Sequence, residues 1–446
     1  MKTNTSLVLL LPLSLMMLLF INCSKEDGNT FVLEDGQYEV PATDIAKLQL
    51  RTAFGTTETL QVVTDDIFAI WWDPRFDHSK DTDEMFALLK SIRTKCLKDL
   101  GLADPPNPFM GYYYNIYIHH GPEDLFPEEW GNGQGTDRYR MPYLNLPDGA
   151  HLDKLNLFHE GFHIFQYNAN SPGYEYNGDS QWFIEATAQW FMATNNLDEE
   201  GAFIEAGAIT ANPQLALWHS FENEAPGDTT DWLYQVRQYG MHTLLYYLTH
   251  EAQVNPEIII DGFYAATNLS PQQYLFNGIG SDSFRKYFTD WAARNTSSFD
   301  YLSEAQRDRA LEELQHADPN NRHPYALELS GGAVIGTHES PSNLAPRGWA
   351  YNVIKLSNLP TGTLRMALEG NSSGSKGATS HFEGRIVAKS ESGFTYQEIT
   401  MADSHTGAQA VLITPETQEL FIIVAAVPEH FTGNQTYPYS ISISQL

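Results

Sequence analysis

Two histidines and a glutamate, spaced as His159, Glu160 and His163, constrain the fold of this chain more than any other feature. In an α-helix, residues four apart lie on the same face, so the imidazoles of His159 and His163 can approach one metal ion. Glu160 lies beside them and can take a proton from a water molecule at that ion. The pattern therefore predicts a helix, beginning near Asp153, that presents a metal site on one face.

A second helix, predicted to begin near residues 179–180, contains a single carboxylate, Glu185, among apolar and small residues. Burying a lone carboxylate beside Trp182 and Trp190 is costly unless a cation lies next to it. Glu185 follows His163 by 22 residues, which is enough for a turn and an antiparallel return to the same ion. We therefore predict Glu185 as the third protein ligand of a Zn²⁺ site.

This pair of segments resembles the gluzincin family of zinc metallopeptidases, which belongs to the zincin superfamily. The resemblance extends in outline over residues 60–250 and is specific at residues 159–163 and 183–188. It implies a catalytic domain with a small mixed sheet beside the zinc helix and hydrolysis of peptide bonds in a protein or peptide substrate. It also implies the site residues: zinc on His159, His163 and Glu185, with Glu160 as the general base.

Other zincin families fit less well. Metzincins have Gly and His where this chain has Gln166 and Ala169, so that family is excluded. Thermolysin-like gluzincins have an Asp, which supports a zinc histidine, where this chain has Gln189, and a carboxamide can still accept a hydrogen bond from an imidazole. A rival third ligand, Asp231, lies in a segment distantly similar to that of aspzincins. Gln235 stands where that motif has Gly, so Asp231 ranks behind Glu185.

The resemblance also implies a donor for the oxyanion of the reaction, supplied in gluzincins by a Tyr or His from a later helix. The segment 234–248 has the aromatic character of such a helix. In related zincins a Tyr-Gly-type step opens this helix, which points to Tyr239 first and to Tyr234 and His242 behind it. An aromatic core helix without a catalytic role is the open alternative.

The residues before the metal helix are predicted to form a small sheet. Strands are predicted at residues 67–72, 112–118 and 139–146 from their composition. A helix is predicted at 81–100, where apolar residues recur at helical spacing. A glycine-rich loop precedes the third strand. In gluzincins the strand in that position is the edge strand, which binds extended substrate, so we expect 139–146 to be the edge here.

Beyond residue 320 the pattern changes to short alternating strands separated by Gly, Asn, Ser and Pro, which is typical of a β-sandwich. The predicted fold class is therefore α+β, with a zincin-like catalytic domain at 39–320 followed by an all-β sandwich at 325–446. Seven strands are predicted in the sandwich: residues 350–356, 363–369, 384–388, 394–400, 410–413, 420–427 and 437–444.

The first residues indicate export. Residues 1–22 have the charged start and apolar run of a signal peptide, and 23–38 form a polar tether. The residues around Cys23 resemble the lipobox and acidic export tag of surface lipoproteins of the Bacteroidetes type, which implies lipid attachment at Cys23 and anchoring to the outer membrane or cell surface. Plain secretion with soluble release is the open alternative. The one other cysteine, Cys96, lies on an apolar helical stripe, so a disulfide scaffold is not expected.

Charge restricts the partners. Lys and Arg number 26 against 56 Asp and Glu, giving a net charge of −30. Such a surface repels nucleic acid and anionic lipid heads, so contact with the membrane is expected only through the lipid on Cys23. The sequence thus predicts a zinc peptidase; a non-catalytic adhesin or a glycan- or protein-binding lipoprotein on a zincin scaffold is the alternative.

Overall fold

A computed structural model describes residues 60–104, 113–120, 133–136, 142–167, 169–220, 232–297, 299–316 and 319–446. Two compact units are distinguished, one ending at Ala169 and the other beginning at Asn170. The predicted signal peptide, the tether with Cys23, and Asp231 all lie outside these ranges. Within these ranges, no helix combines the length and the apolar character needed to span a bilayer.

The first unit contains a five-stranded mixed sheet with the order β1-β2-β3-β5-β4. Strands β2, β3 and β5 run parallel to one another, and β1 and β4 pair antiparallel at the two ends of this order. Strands β2 and β3 are rich in β-branched and aromatic residues and are buried along their whole length, as expected for the centre of a sheet. The strand bounds are β1 Gln61–Thr64, β2 Phe68–Trp72, β3 Tyr114–His119, β4 Gly133–Thr136 and β5 Pro142–Pro147.

The prediction that residues 139–146 form the edge of this sheet is wrong. That stretch corresponds to β5, which lies between β3 and β4. The outer strand β4 was expected to be a loop because two of its four residues are glycine, which disfavours strands in general. A Cβ atom on Gly135 would lie 2.9 Å from the hydroxyl oxygen of Tyr143, so glycine here lets the Tyr143 ring lie over the strand.

Among the described residues of the first unit, two helices accompany the sheet: α1, Thr82–Thr94, which continues into a π-helical turn at Lys95–Asp99, and α2, Lys154–Gln166. Helix α2 begins where predicted, because the carboxylate of Asp153 accepts a hydrogen bond from the backbone N–H of Asn156 at 3.0 Å and caps the first turn. The two helices approach closely at Gly161, where a Cβ atom would lie 3.0 Å from Cδ1 of Ile92.

The second unit begins with helices. The predicted second helix is present as α3, Gln181–Thr194, and all but its last residue are buried. A 3-10 segment, Glu200–Ala206, leads into the next helix. The further α-helices of the described residues are α4 Gly207–Ala211, α5 Trp232–Gly240, α6 His242–Tyr246, α7 Glu257–Tyr264, α8 Pro271–Ile279, α9 Ser281–Thr296 and α10 Glu304–Glu313.

The C-terminal part is a β-sandwich of two five-stranded sheets, ordered β11-β10-β14-β8-β6 and β12-β13-β9-β15-β7. Alternate residues of both sheets form one apolar core, including Leu364, Ile386 and Ile422. The predicted α+β class with a C-terminal sandwich is therefore confirmed. The strands are β6 Leu327–Ser330, β7 Gly336–Glu339, β8 Ala350–Ser357, β9 Gly362–Gly370, β10 Phe382–Ser390, β11 Gly393–Glu398, β12 Thr400–Met401, β13 Thr406–Ile413, β14 Thr417–Ala426 and β15 Tyr439–Gln445.

Helix α9 packs on the sandwich within the second unit. Trp349, which is fully buried, stacks on Phe284 with ring centroids 4.7 Å apart. Arg285 donates from Nε to the carbonyl oxygen of Val427 at 3.1 Å. Helices α3 to α10 and the sandwich thus form one compact unit, and a separate folding domain at 325–446 stays a prediction.

Candidate metal centre

His159 and His163 lie one turn apart on α2, as their spacing predicts. Their Nε2 atoms are 3.2 Å apart, and the two rings meet edge to face at 82°. Exposure is 9% for His159 and 2% for His163, so the two nitrogens meet in a largely dry environment. Two imidazole nitrogens converging on one point are a donor set that suits Zn²⁺ and other borderline transition metals.

Gln166 controls the orientation of His163. The Nδ1 atom of His163 is hydrogen-bonded to Oε1 of Gln166, an acceptor, so the proton of the neutral imidazole lies on Nδ1. This leaves the Nε2 lone pair directed toward His159, which is the arrangement that metal ligation requires. In the sequence, Gln166 stands out only as a departure from the metzincin pattern. Its position three residues after His163, on the same helix face, is the signal that would have identified it.

Glu160 lies between the histidines in sequence and is 7% exposed. It belongs to a run of nine consecutive buried residues of α2, 157–165. The absence of a side chain at Gly161 lets this turn pack closely against Ile92 of α1. The role of Glu160 as a general base stays a prediction.

Glu185 occupies α3 in the second unit and is 1% exposed. It is the only acidic residue of that helix. One turn later, the Nε2 group of Gln189 donates a hydrogen bond to the carboxylate of Glu205 at 2.7 Å, and both side chains are buried. Glu205, on the 3-10 segment, is a partner of Gln189 that sequence reasoning did not identify. Ligation by Glu185 stays a prediction.

Tyr239 lies in the last turn of α5 and is 4% exposed. Helix α5 ends one residue later at Gly240, and α6 begins at His242, so the Tyr-Gly step closes a helix here. The Nδ1–H group of His242 donates to the carbonyl oxygen of Tyr239 at 2.8 Å and joins the two helices. The catalytic roles of Tyr239 and His242 stay predictions, and the side chain of Tyr234 lies outside the described residues.

Fold and site together define an α+β protein in which an HExxH helix precedes a C-terminal β-sandwich. The chain belongs to a family of unknown function, DUF6055, whose model matches residues 66–445. No curated protein matches it.

Two solved structures that resemble the chain do so only distantly. The M60 catalytic domain with the CBM51-1 and CBM51-2 domains of ZmpB from Clostridium perfringens is 9% identical, with a TM-score of 0.26. That match covers 92% of this chain and 62% of the other. The pre-peptidase C-terminal domain of a collagenase from Bacillus anthracis is 8% identical, with a TM-score of 0.18, and its match covers 28% of this chain and 99% of that domain. Neither similarity is close enough to assign an activity.

Proposed function

We propose that this protein is a zinc-dependent peptidase of the gluzincin type. The observation that carries the proposal is the convergence of the His159 and His163 Nε2 atoms, 3.2 Å apart on one buried helix face, with Glu160 on the same turn. The hydrogen bond from His163 to Gln166 supports it, because it sets the tautomer that a metal-binding imidazole needs.

Glu185 is the proposed third ligand. Its burial among the aromatic residues of α3 would be stabilised by a cation beside the carboxylate. The proposed set of His159, His163 and Glu185 leaves a fourth coordination position for water or substrate, as in catalytic zinc sites. Zinc held by these residues would lower the pKa of a water ligand toward about 7 and polarise the substrate carbonyl.

The other residues move protons and stabilise charge. In the proposed reaction Glu160 removes a proton from the attacking water and later delivers it to the departing amine, so the carboxylate is regenerated when the peptide C–N bond breaks. Tyr239 is the proposed donor to the oxyanion, with His242 as the alternative. The proposed location is the outer membrane or cell surface, through a lipid on Cys23.

The test is Glu160→Gln, which keeps the shape of the side chain and removes its basicity. Hydrolysis of a general protein substrate should fall about 10²- to 10⁴-fold, the usual contribution of a general base, while zinc content should stay the same. Glu391→Gln, at an exposed residue of the sandwich, serves as the matched control. The peptidase proposal fails if Glu160→Gln hydrolyses the substrate as fast as the wild type.

The same experiment separates the peptidase from the alternative function. A protein that retains zinc but shows no hydrolysis attributable to Glu160 would be a binding protein on a zincin scaffold, such as an adhesin. Zinc measurement alone does not distinguish the two, since a non-catalytic site also binds the metal.

A further inference from the structure

A second group of histidines and carboxylates lies at one edge of the mixed sheet, in the first unit. His78 follows β2, His120 follows β3, and Asp148 and His151 follow β5; Asp81 directly precedes α1. Because β2, β3 and β5 are parallel, their carboxyl ends meet at the same edge, where open α/β sheets bind ligands. Five polar side chains that are scattered in the sequence are thereby gathered in one place.

Asp81 organises two of these imidazoles. Its Oδ2 atom lies 2.9 Å from Nδ1 of His78 and 3.1 Å from Nε2 of His151. The Nδ1 atom of His151 accepts the backbone N–H of Gly149 at 3.2 Å, so its proton lies on Nε2 and is donated to Asp81. His78 donates to the same oxygen through Nδ1–H. Its Nε2 atom therefore carries a lone pair on the side away from Asp81.

That lone pair faces a second imidazole. The Nε2 atoms of His78 and His120 are 2.7 Å apart, and the rings lie nearly parallel, 25° between their planes. Phe76 stacks on the ring of His120 with centroids 3.6 Å apart. A carboxylate oxygen of Asp148 and a nitrogen of each of these two histidines all lie within 4.8 Å of one another. The contact resembles that between His159 and His163, at a different site.

We propose that His78, His120 and Asp148 bind a divalent transition-metal ion at a second site, with Asp81 and His151 as positioning residues. Two imidazoles and one carboxylate are typical ligands of zinc and its neighbours, whereas Ca²⁺ and Mg²⁺ prefer oxygen alone. The carboxylate of Asp81 fixes the tautomer of His78 through its hydrogen bond to Nδ1. Metal-binding imidazoles commonly have a carboxylate partner of this kind on their other nitrogen. The Asp148 side chain is 52% exposed, so the ion can exchange with solvent.

The role of this ion is structural. It joins the segments that follow β2, β3 and β5, and two of those segments lead into α1 and α2. A ligand that binds only the folded chain raises its stability.

The experiment counts zinc ions bound by the whole protein, by native mass spectrometry and by equilibrium dialysis with elemental analysis. We expect two per wild-type chain, one in His120→Asn, one in His163→Asn and none in the double variant. Asp148→Asn changes an exposed side chain without altering its shape and should lower the affinity for the ion at the second site at least tenfold. His430→Asn, at a half-buried histidine of the sandwich unit, is the control for incidental binding and should retain two ions.

The result that overturns the proposal is equal zinc binding by His120→Asn, Asp148→Asn and the wild type, which would mean that the two imidazoles only share a hydrogen bond. A wild type that binds one ion, lost in His163→Asn alone, overturns it as well. A wild type that binds one ion, lost in His120→Asn and retained in His163→Asn, supports this second site and counts against the HExxH site. The two proposals therefore fail separately.

Discussion

At the scale of single residues, Gln166 decides which nitrogen of His163 faces His159. Its amide oxygen accepts the Nδ1–H group, and the imidazole is thereby held in one tautomer and one orientation. Such outer partners of metal-binding histidines typically change metal affinity 10- to 100-fold when they are lost. The histidine spacing alone predicts two ligands, and Gln166 determines how one of them, His163, is oriented.

We expect Gln166→Leu to weaken zinc binding about 10- to 100-fold, because the imidazole loses its acceptor. Gln166→Glu should restore the affinity, since a carboxylate accepts the same hydrogen bond. Competition with a chromophoric chelator would measure both. If Gln166→Leu and the wild type bind zinc equally, Gln166 does not orient His163.

At the scale of elements, the end of α5 depends on a close contact between two backbones. A Cβ atom on Gly240 would lie 2.5 Å from the carbonyl oxygen of Glu205, and backbone cannot yield as a flexible side chain can. The contact fixes the end of α5, with Tyr239, against the 3-10 segment that carries Glu205. The φ angle of Gly240 is not in the left-handed region that favours glycine. Glycine is therefore required here by the close packing and not by the backbone conformation.

We expect Gly240→Ala to destabilise the protein by about 1–3 kcal/mol, the usual cost of overpacking a buried contact. Gly332→Ala is the matched control, because a Cβ atom there would have no heavy atom within 4 Å. Urea-induced unfolding of the two variants beside the wild type gives the comparison. Equal midpoints for Gly240→Ala and Gly332→Ala would contradict the packing argument.

The elements were largely predictable where periodicity is strong. Helices α2 and α3 and the long sandwich strands follow from apolar spacing and turn residues. Strand β4 was missed because its glycines carry no strand signal, and the ring of Tyr143 takes the place of the missing side chains. The histidines of the second group were missed for another reason: His78 and His151 are far apart in sequence and meet only through the parallel order of β2, β3 and β5.

At the scale of the whole molecule, acid stability is linked to His219. Burial, together with the nearby guanidinium groups of Arg237 and Arg347, lowers the pKa of this side chain from 6.5 to about 3. The unfolded chain takes up a proton at His219 as pH falls through about 6.5, and the folded chain does so only near 3. Stability is therefore lost progressively as pH falls through that window, by up to about 1.4 kcal/mol per pH unit.

We expect His219→Gln to flatten this decline between pH 6.5 and 4. The free energy of unfolding of the variant and the wild type, measured by urea titration at several pH values, provides the test. The overall net charge changes with pH in nearly the same way in both proteins. The difference between the slopes of their free energies of unfolding against pH therefore gives the contribution of His219. Parallel curves would mean that His219 is protonated alike in the folded and unfolded chains.

Helix α1 begins at one group of histidines in the first unit and contacts the helix that carries the other. Asp81 directly precedes its first turn, and Ile92, near its other end, contacts Gly161 beside Glu160. A helix of 13 residues is about 20 Å long and stiff over that length. A displacement of α1 is therefore expected to move both of its ends, so a substitution that shifts this helix should affect the geometry of the two groups of histidines together.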